Sequence, residues 1–278
     1  MPSLDQAACE ALVRRVDPDR WLAALFAAAH PRPHLVALYA FYYEVAKTAD
    51  SVSQPVMGQI RLQWWREAVE EIYAGRARRH EAVQVLAEVV RSHDIPRALL
   101  DAMIDAREHD LEETPFTDWV NLEIYADATC GNLMRLAARI LGAGPGLDDA
   151  AREAGIAYAL MGLLRAFGFH AARRRLMLPV AALHEIGLSQ EQIFSGTTDA
   201  KVTALFALTV KRTQDHLSRV RASRIPRKFL PALLPAALVP GYAKILTQPG
   251  FNPFRDVAEL SVHRRQIGML AAMARARV

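Results

Sequence analysis

The chain has 278 residues, of which 52% are hydrophobic; this is enough for a substantial core and excludes an intrinsically disordered protein. Its 34 basic and 30 acidic residues leave a formal charge of +4, too small for this length to indicate nucleic-acid binding. The two cysteines, Cys9 and Cys130, lie far apart without metal-type spacing, which argues against a disulfide framework or a zinc site.

Targeting and membrane signals are weak in this sequence. No uninterrupted apolar run reaches the ~20 residues that a membrane-spanning helix requires. Residues 1–16 contain Asp5 and Glu10 and lack the apolar centre of a secretory signal, so we expect them to belong to the mature fold. We therefore expect a cytoplasmic protein, with peripheral contact to the inner membrane as a further option.

The first third of the chain predicts helices with clear start signals. Ser3 and Gln6 form a capping box for a first helix that ends near Val16. Asp17 and Pro18 begin the second helix, since proline is favoured at the first helical position. Further helices are expected over residues 34–51, 55–74, 80–92 and 96–111.

Three acidic residues, Asp101, Asp105 and Glu108, recur at helical spacing in the last of these segments. Such a row could serve acid/base chemistry. The expected reading is an exposed helix face whose carboxylates pair with Arg97 and Arg107.

The middle of the chain continues the helical pattern. Thr117 caps a long helix that runs to residue 141, and residues 142–146 form a loop. Asp148 begins the helix that leads into a stretch from Gly155 to Pro179, whose apolar residues recur every three or four positions as far as residue 164.

The last hundred residues are also expected to be helical. Ser189 and Gln192 form a second capping box, and Thr197 or Asp199 begins a helix that reaches about residue 223. Short turns are expected over residues 225–240. A final helix should begin at Pro253, with Leu260, Ile267 and Leu270 on one side and arginines on the other. No segment alternates with a period of two, so we predict an all-α fold that forms a single domain over residues 1–278.

Two stretches carry a resemblance to a known family. The Leu-Leu-Arg of residues 163–165, followed by Ala-Ala-Arg-Arg-Arg-Leu-Met-Leu-Pro at 171–179, resembles the second signature of the squalene/phytoene synthases. Residues 37–41 and 49–53 resemble the first signature of that family of all-helical head-to-head prenyl transferases. The resemblance implies an isoprenoid-synthase-type helical bundle around a central cavity. The expected wall of that cavity consists of Leu38, Tyr42, Val45, Tyr125, Cys130, Leu133, Leu163 and Phe167, which would make it apolar with basic rims.

The aspartates that the family uses to hold magnesium do not recur at the matching positions. Working members carry two pairs of aspartates four residues apart, so that both carboxylates of a pair face one side of a helix and share a cation. Carried over to this chain, the first pair falls on Ala49 and Ser53 and the second on Ala166 and His170, while Asp50 remains beside the first. Other polar positions of the family fall on Ala159, Gly162 and Met177.

The loss of these carboxylates would leave a substrate diphosphate without its metal clamp. The candidates for binding a phosphate are then Arg165, His170, Arg173, Arg174 and Arg175, although a neutral wall residue is the expected reading for the histidine. We therefore expect no catalytic residues, no metal and no cofactor. Mg²⁺ would be needed only if the chain still catalyses prenyl condensation.

Within the family, the chain is similar to a divergent branch that includes the mitochondrial assembly factor of respiratory complex I. The shared features are residues 50–53, the Arg-Leu-Gln-Trp-Trp-Arg of 61–66, and the Leu-Leu-Arg-Ala of 163–166. The resemblance implies a catalytically degenerate protein that assists respiratory complex assembly without being an enzyme, with a respiratory subunit, a prenyl lipid or prenyl diphosphate, and a membrane surface as candidate partners. The alternatives are a lipid-binding protein without assembly duties, and an active prenyl transferase that uses farnesyl or geranylgeranyl diphosphate at an altered site.

Overall fold

A computed structural model of the chain describes residues 3–112 and 114–278, and all regular elements in this part are helical, without a strand. Short 3-10 turns connect several of the α-helices, and a π-helical turn occupies Asp127–Gly131. The α-helices of the described residues are α1 (Leu4–Val16), α2 (Pro18–Ala24), α3 (Arg32–Ala46), α4 (Pro55–Tyr73), α5 (Glu81–Ser92), α6 (Arg97–Asp105), α7 (Trp119–Ala126), α8 (Asn132–Ile140), α9 (Asp148–Arg165), α10 (Phe167–Ala172), α11 (Val180–Glu185), α12 (Gln190–Phe194), α13 (Ala200–Ala222), α14 (Leu230–Leu233), α15 (Val239–Leu246) and α16 (Val262–Arg275).

Helix α9 forms the centre of the bundle. It packs against α8, α13, α15 and the π turn, and it is buried on almost every side because its middle is built from alanine, glycine and leucine. Gly155 allows the closest approach: a Cβ atom at this position would lie only 2.5 Å from the Cα atom of Gly131. The backbones of α9 and the π turn are therefore in direct contact, and this contact positions one wall of the central cavity.

The predicted helix starts are largely confirmed. Both capping boxes are present, at Ser3 with Gln6 and at Ser189 with Gln192. Pro18 occupies the first turn of α2, and Asp199 caps α13. These signals are reliable because a cap depends on residues that are neighbours in the sequence.

The predicted helix over residues 34–51 is wrong at its end, because α3 ends at Ala46. Residues 49–51 form a separate 3-10 turn. The hydroxyl of Ser51 donates to the carbonyl oxygen of Thr48 at 2.9 Å, and its backbone N–H donates to the same oxygen at 3.2 Å. A serine that binds nearby backbone in this way competes with helix continuation.

Two other predicted starts are also wrong. The cap of α7 is Asp118, whose carboxylate accepts from the backbone of Asn121 at 2.9 Å, whereas Thr117 binds only the Asn121 side chain. The last helix begins at Val262 instead of Pro253, because the side chain of Asn252 accepts from the backbone of residue 254 and holds a turn there. Leu260 therefore lies outside the helix and is buried, whereas Ile267 and Leu270 of α16 are exposed, so the three residues do not form one face.

The acidic row on α6 pairs differently from the expectation. Asp101 does pair with Arg97, at 3.1 Å. Asp105 and Glu108 instead bind Arg66 of α4, at 2.7 and 2.6 Å. The predicted partner Arg107 turns inward, because residues 106–111 tighten into a 3-10 turn that points its side chain to the bundle centre.

Among the described residues, one stretch, Arg227–Leu246, has the length and mean hydropathy (1.5) of a membrane-crossing segment, and 72% of its most apolar window is buried in the fold. It contains Arg227, Lys228 and Lys244, so its apolar residues do not form an uninterrupted run.

A buried ionic network ties α7, α9 and α13 together. His216 of α13 is 2% exposed and lies between two carboxylates: its Nδ1 is 2.7 Å from Glu153 and its Nε2 is 3.2 Å from Glu123. Arg212 also donates to Glu123. Burial raises the pKa of Glu123, but the hydrogen bonds from His216 and Arg212 outweigh burial and lower this pKa to about 2, from an ordinary value of 4.5.

This network predicts a pH-dependent contribution to stability. Because the folded-state pKa of Glu123 is depressed, its stabilisation is fully present above pH 4.5 and is lost as the pH falls towards 2. We expect Glu123→Gln to lower the free energy of unfolding by about 1.5–3 kcal/mol at pH 7, and the difference from the parent to shrink below pH 4.5. Urea titrations at a series of pH values measure this.

The control is Glu191→Gln, which removes the same charge from an ion pair with Arg174 whose side chains are 74% and 65% exposed. We expect this substitution to change the free energy of unfolding by less than about 1 kcal/mol. If Glu123→Gln lowers the free energy of unfolding by the same amount from pH 7 to pH 2.5, the depressed pKa assigned to Glu123 is contradicted.

Candidate functional site

A cavity of about 290 Å³ lies at the centre of the bundle, where α2, α3, α9 and the π turn meet. Its wall is rich in arginine and tyrosine and includes one thiol and two carboxylates. The lining residues are Val16, Asp17, Pro18, Asp19, Arg20, Tyr42, Arg107, Tyr125, Thr129, Cys130, Tyr158, Ala159, Gly162, Leu163 and Arg165.

Arg20 fills one side of this cavity. Its guanidinium lies between two aromatic rings, 4.9 Å from the ring centre of Tyr42 and 4.8 Å from that of Tyr158. Asp17 holds it with an ion pair of 2.6 Å and at the same time caps α2 by accepting from the Arg20 backbone at 3.0 Å. The second guanidinium nitrogen lies 3.5 Å from the Cys130 sulfur. Arg20 is therefore fixed by groups from α2, α3, α9 and the π turn.

A second buried arginine, Arg107, closes another side. It donates to the hydroxyls of Tyr42 at 2.9 Å and Tyr125 at 2.7 Å, and to the carboxylate of Asp110 at 3.0 Å. Tyr125 in turn donates to Asp110 at 2.8 Å. The Tyr42 hydroxyl also lies 3.1 Å from Cys130, so the two arginine clusters share one tyrosine and one thiol.

At the edge of the cavity, the buried carboxylate of Asp19 on α2 accepts hydrogen bonds from three other helices. It accepts from Tyr158 of α9 at 2.8 Å, from Tyr242 of α15 at 2.7 Å and from Arg265 of α16 at 2.7 Å. Arg165 approaches it to 3.6 Å and lies 3.9 Å from the ring centre of Tyr242. Asp19 is only 2% exposed, so its charge is stabilised by these partners and not by water.

The protonation states of these groups follow from burial and from their partners. Burial lowers the pKa of Arg20 and Arg107, but neighbouring anionic and phenolic groups outweigh it and raise both pKa values well above the ordinary range. Burial also raises the pKa of Tyr42, Tyr125 and Tyr158. The arginines are therefore cations and the tyrosines neutral hydrogen-bonding groups at physiological pH.

The wall of this cavity combines apolar surface with charged and hydroxyl groups. Three of its lining residues are arginines and two are aspartates, and several tyrosine side chains line the same space. The basic groups expected at the rims of an apolar chamber therefore lie within the chamber as well. These polar groups give the cavity the means to position a polar or anionic group.

Four of the eight predicted wall residues line this cavity: Tyr42, Tyr125, Cys130 and Leu163. The other four lie in the hydrophobic core instead and do not line this cavity. These four are Leu38, Val45, Leu133 and Phe167, all at most 5% exposed, with Phe167 packed against the rings of Phe206 and Phe254.

The positions that match the family's first aspartate pair do not share a helix face. Ala49 lies in the 3-10 turn, and Asp50 and Ser53 are exposed to solvent. The expectation of two facing helices is therefore wrong for this segment, because α3 ends three residues earlier.

The positions of the second motif lie near the end of α9. Ala159 and Gly162 line the cavity, and Ala166 ends the helix. His170 lies in α10 outside the wall; its Nδ1 is buried and has no hydrogen-bond partner among the described residues. Burial lowers the pKa of His170 and nearby Arg175 lowers it further, so the imidazole is neutral at pH 7. Met177 is buried, with its sulfur 3.9 Å from a guanidinium nitrogen of Arg175.

The five phosphate-binding candidates do not converge. Arg165 alone lines the cavity. Arg173 lies over the ring of Phe169 and Arg174 pairs with Glu191, so both point to the surface. Arg175 donates to the backbone oxygen of Asp110 at 2.7 Å and lies behind the Arg107 cluster.

The sequence interpretation missed most of the polar network, namely Asp17, Asp19, Arg20, Arg107, Asp110, Tyr158, Tyr242 and Arg265. A signal for two of them does exist. Asp19 and Arg20 precede Ala23 and Ala24 by one turn, so they share the buried stripe of α2. Charged residues on a buried stripe must have partners, although the sequence does not say which.

Comparison with known proteins identifies related chains. A model of the squalene/phytoene synthase family matches residues 13–266. An assembly factor 6 of NADH dehydrogenase (ubiquinone) complex I from Bos taurus is 32% identical over 249 residues, which cover 88% of this chain and 75% of the relative. A presqualene diphosphate synthase from Rhodopseudomonas palustris is 27% identical, over 77% of this chain and 82% of the relative.

Among solved structures, the crystal structure of a dehydrosqualene synthase in complex with ligand has a TM-score of 0.86. The alignment covers 98% of this chain and 96% of that structure at 17% identity. This likeness confirms the predicted all-helical fold.

The buried Asp19 cluster predicts a large loss of folding stability when the charge of Asp19 is removed. Asp19→Asn keeps the shape of the side chain but leaves the guanidinium of Arg265, which is 5% exposed, with Glu259 at 3.4 Å as its remaining carboxylate partner. We expect the free energy of unfolding to fall by about 3–5 kcal/mol, measured by urea denaturation at pH 7.

The matched control is Asp101→Asn, which breaks the partly exposed pair with Arg97 on α6 and should cost less than about 1 kcal/mol. Equal effects of the two substitutions would show that the Asp19 cluster does not hold the four helices together.

Proposed function

The chain belongs to the squalene/phytoene synthase family, and from this premise we propose that it is a non-enzymatic member that assists assembly of a respiratory NADH dehydrogenase. The observation that carries the proposal is the charged, arginine-filled cavity at the centre of the bundle. Support for the assembly role comes from relatives that share 30–32% identity over 88% of this chain and are named complex I assembly factor 6.

The size and chemistry of the cavity argue against prenyl condensation. Head-to-head transfer requires two prenyl diphosphates side by side, each with a long hydrocarbon tail. A volume of about 290 Å³ is at the lower end for a pocket that holds one ligand, typically ~300–1,000 Å³. Arg20 and Arg107 also occupy space along the wall that the tails would need, and both are held in place by their carboxylate and tyrosine partners.

The side chains that could serve as metal ligands argue against a magnesium-dependent step. Asp50 is the one carboxylate in residues 49–53 and 166–170, and its side chain is exposed. In the residues that the structure describes, no three His, Cys, Asp or Glu side chains are grouped to hold a metal. A magnesium cluster needs several oxygen ligands, so these residues do not fit one, and we propose that the chain works without Mg²⁺ or another cofactor.

The same small volume makes the cavity a poor chamber for a prenyl lipid, because a long quinone-like tail would not fit into about 290 Å³. We propose instead that the chain acts through its surface, in the cytoplasm and beside the membrane in which the respiratory complex is built, with a subunit of that complex as its partner.

The alternative is an active prenyl transferase with an altered site. The relative named presqualene diphosphate synthase favours it, since it matches 77% of this chain. Arg165 and Arg175 would then have to replace the metal at the diphosphate. A point cation neutralises charge but does not bridge two oxygens as a metal does, so our proposal remains the better supported one.

In vitro turnover separates the two readings. We expect the purified protein, incubated with farnesyl or geranylgeranyl diphosphate and Mg²⁺, to form no presqualene, squalene or phytoene product above a reaction without protein. Radiolabelled substrate and thin-layer chromatography measure this. Product formation at rates comparable to those of a true synthase assayed in parallel would reject the proposal.

Gene deletion tests the assembly role directly. We expect loss of the gene to lower NADH dehydrogenase activity in membranes at least twofold and to leave squalene, carotenoid and hopanoid content unchanged. Plasmid-borne wild-type gene should restore the activity. A strain with normal NADH dehydrogenase and altered isoprenoid content would favour the synthase instead.

A further inference from the structure

A second concavity lies on the surface between α6, with its following turn, and α7. We name it the α6–α7 groove; it is lined by side chains from residues 102–112, 114–117 and 121–128. Its volume is about 680 Å³, more than twice that of the central cavity. Unlike that cavity, it is shallow and open along one side of the bundle.

The floor of the α6–α7 groove is apolar. Ala102 and Ala106 lie one turn apart on its α6 side, and Ile124 and Ala128 lie one turn apart on its α7 side. Phe116 closes one end, with its ring stacked on His109 at 3.9 Å. Ile124 is 62% exposed although it is a large apolar residue. Such a row of unpartnered apolar side chains is typical of a docking surface.

The rim of the groove is acidic, although the chain as a whole is basic. Asp105 and Glu112 line it, with side chains 58% and 60% exposed. Glu108 lies beside them, and Arg66 neutralises only part of their charge by binding Asp105 and Glu108. Among the described residues that line the groove there is no lysine or arginine. A partner with positive charge is therefore favoured.

The shape of the groove fits a helix. Its two sides are helical, and their small alanines allow a third helix to approach closely, with its ridge of side chains between them. An extended peptide that binds by adding a strand would need the open edge of a sheet, and the described residues contain no strand.

We infer that the α6–α7 groove docks a basic amphipathic helix of a partner protein. The apolar residues of that helix, at spacings of three and four, contact Ile124 and the two alanines of the α6 side, and its lysines or arginines meet Asp105 and Glu112. This inference deepens the proposed function, on which it rests, by giving the chemistry of the segment through which a respiratory subunit is held.

The groove borders the central cavity through one residue. Tyr125 lines both, and its hydroxyl binds Arg107 and Asp110 on the cavity side. Ala128 of the groove and Cys130 of the cavity belong to the same π turn, a feature that is frequent at functional sites. A docked helix would therefore rest on the outer side of the cavity wall.

The test uses the purified full chain and a synthetic probe. The probe is an 18-residue fluorescein-labelled peptide with leucines on one helical face and lysines on the other, and its partner peptide carries glutamates instead of lysines. Fluorescence anisotropy measures the affinities. We expect the lysine peptide to bind at least tenfold more tightly than the glutamate peptide.

Two variants localise the binding. Ile124→Glu removes the apolar contact, and the double variant Asp105→Lys with Glu112→Lys reverses the rim charge; each should weaken binding at least tenfold. The matched control is Ile267→Glu on α16, where the isoleucine is equally exposed, at 66% against 62%. Both isoleucine variants add one negative charge, so only the contact with the groove separates them. Circular dichroism confirms that each variant is folded.

Three results would overturn the inference. The first is equal affinity for the lysine and glutamate peptides. The second is equal binding by Ile124→Glu and Ile267→Glu. The third is self-association of the purified chain that increases with its concentration, replaces peptide binding and is abolished by both isoleucine variants. In that case the groove would be occupied by the exposed basic face of α16 in a second copy of the chain.

A genetic experiment tests this inference independently of the proposed assembly role. If the deletion strain keeps full NADH dehydrogenase activity, the assembly role fails, and the anisotropy result still decides whether the groove binds a basic helix. If deletion lowers the activity and Ile124→Glu restores it as well as Ile267→Glu does, the groove is not the site through which the chain assists assembly.

Discussion

The structure depends on one buried carboxylate. Asp19 is almost without solvent contact, yet it carries a charge that must be compensated, and its compensation comes from residues far away in the sequence: Tyr158, Tyr242 and Arg265. The carboxylate therefore joins the second helix of the chain to the ninth, the fifteenth and the last. A buried ion with an incomplete set of partners is strongly unfavourable, so these four helices come to their places together or not at all.

The same requirement determines what the centre of the bundle can do. Arg20 and Arg107 are anchored by carboxylates and tyrosine hydroxyls, and both remain charged because these partners outweigh the effect of burial. The centre of this bundle therefore contains a connected network of ions and hydroxyls. Likeness to the family describes the fold, and the chemistry has to be argued from the site itself. The function that we propose uses the outer surface, where the α6–α7 groove has an apolar floor and an acidic rim.

The sequence was informative wherever a structure depends on neighbours in the chain. The capping boxes at Ser3 and Ser189 were predicted because all their atoms come from four consecutive residues. The fold followed from helical periodicity and from two family signatures. The Asp19 cluster was missed because its partners are distant in the chain, and Arg265 lies more than two hundred positions from Asp19. The pairs of Arg20 with Asp17 and of Arg107 with Asp110 are local, but nothing in the sequence shows that they are buried. Arg107 was expected on the surface since its spacing matches an acidic row, and nothing local indicates the 3-10 turn that rotates it inward.

The direct backbone contact between Gly155 and Gly131 leaves no room for a side chain on α9 at that point. A Cβ atom at position 155 would lie 2.5 Å from the backbone of Gly131 and 2.6 Å from that of Cys130. Backbone atoms cannot turn aside as a flexible side chain can, so even alanine at position 155 would require α9 and the π turn to separate. Such a separation would displace Thr129 and Cys130, which line the cavity from the same turn.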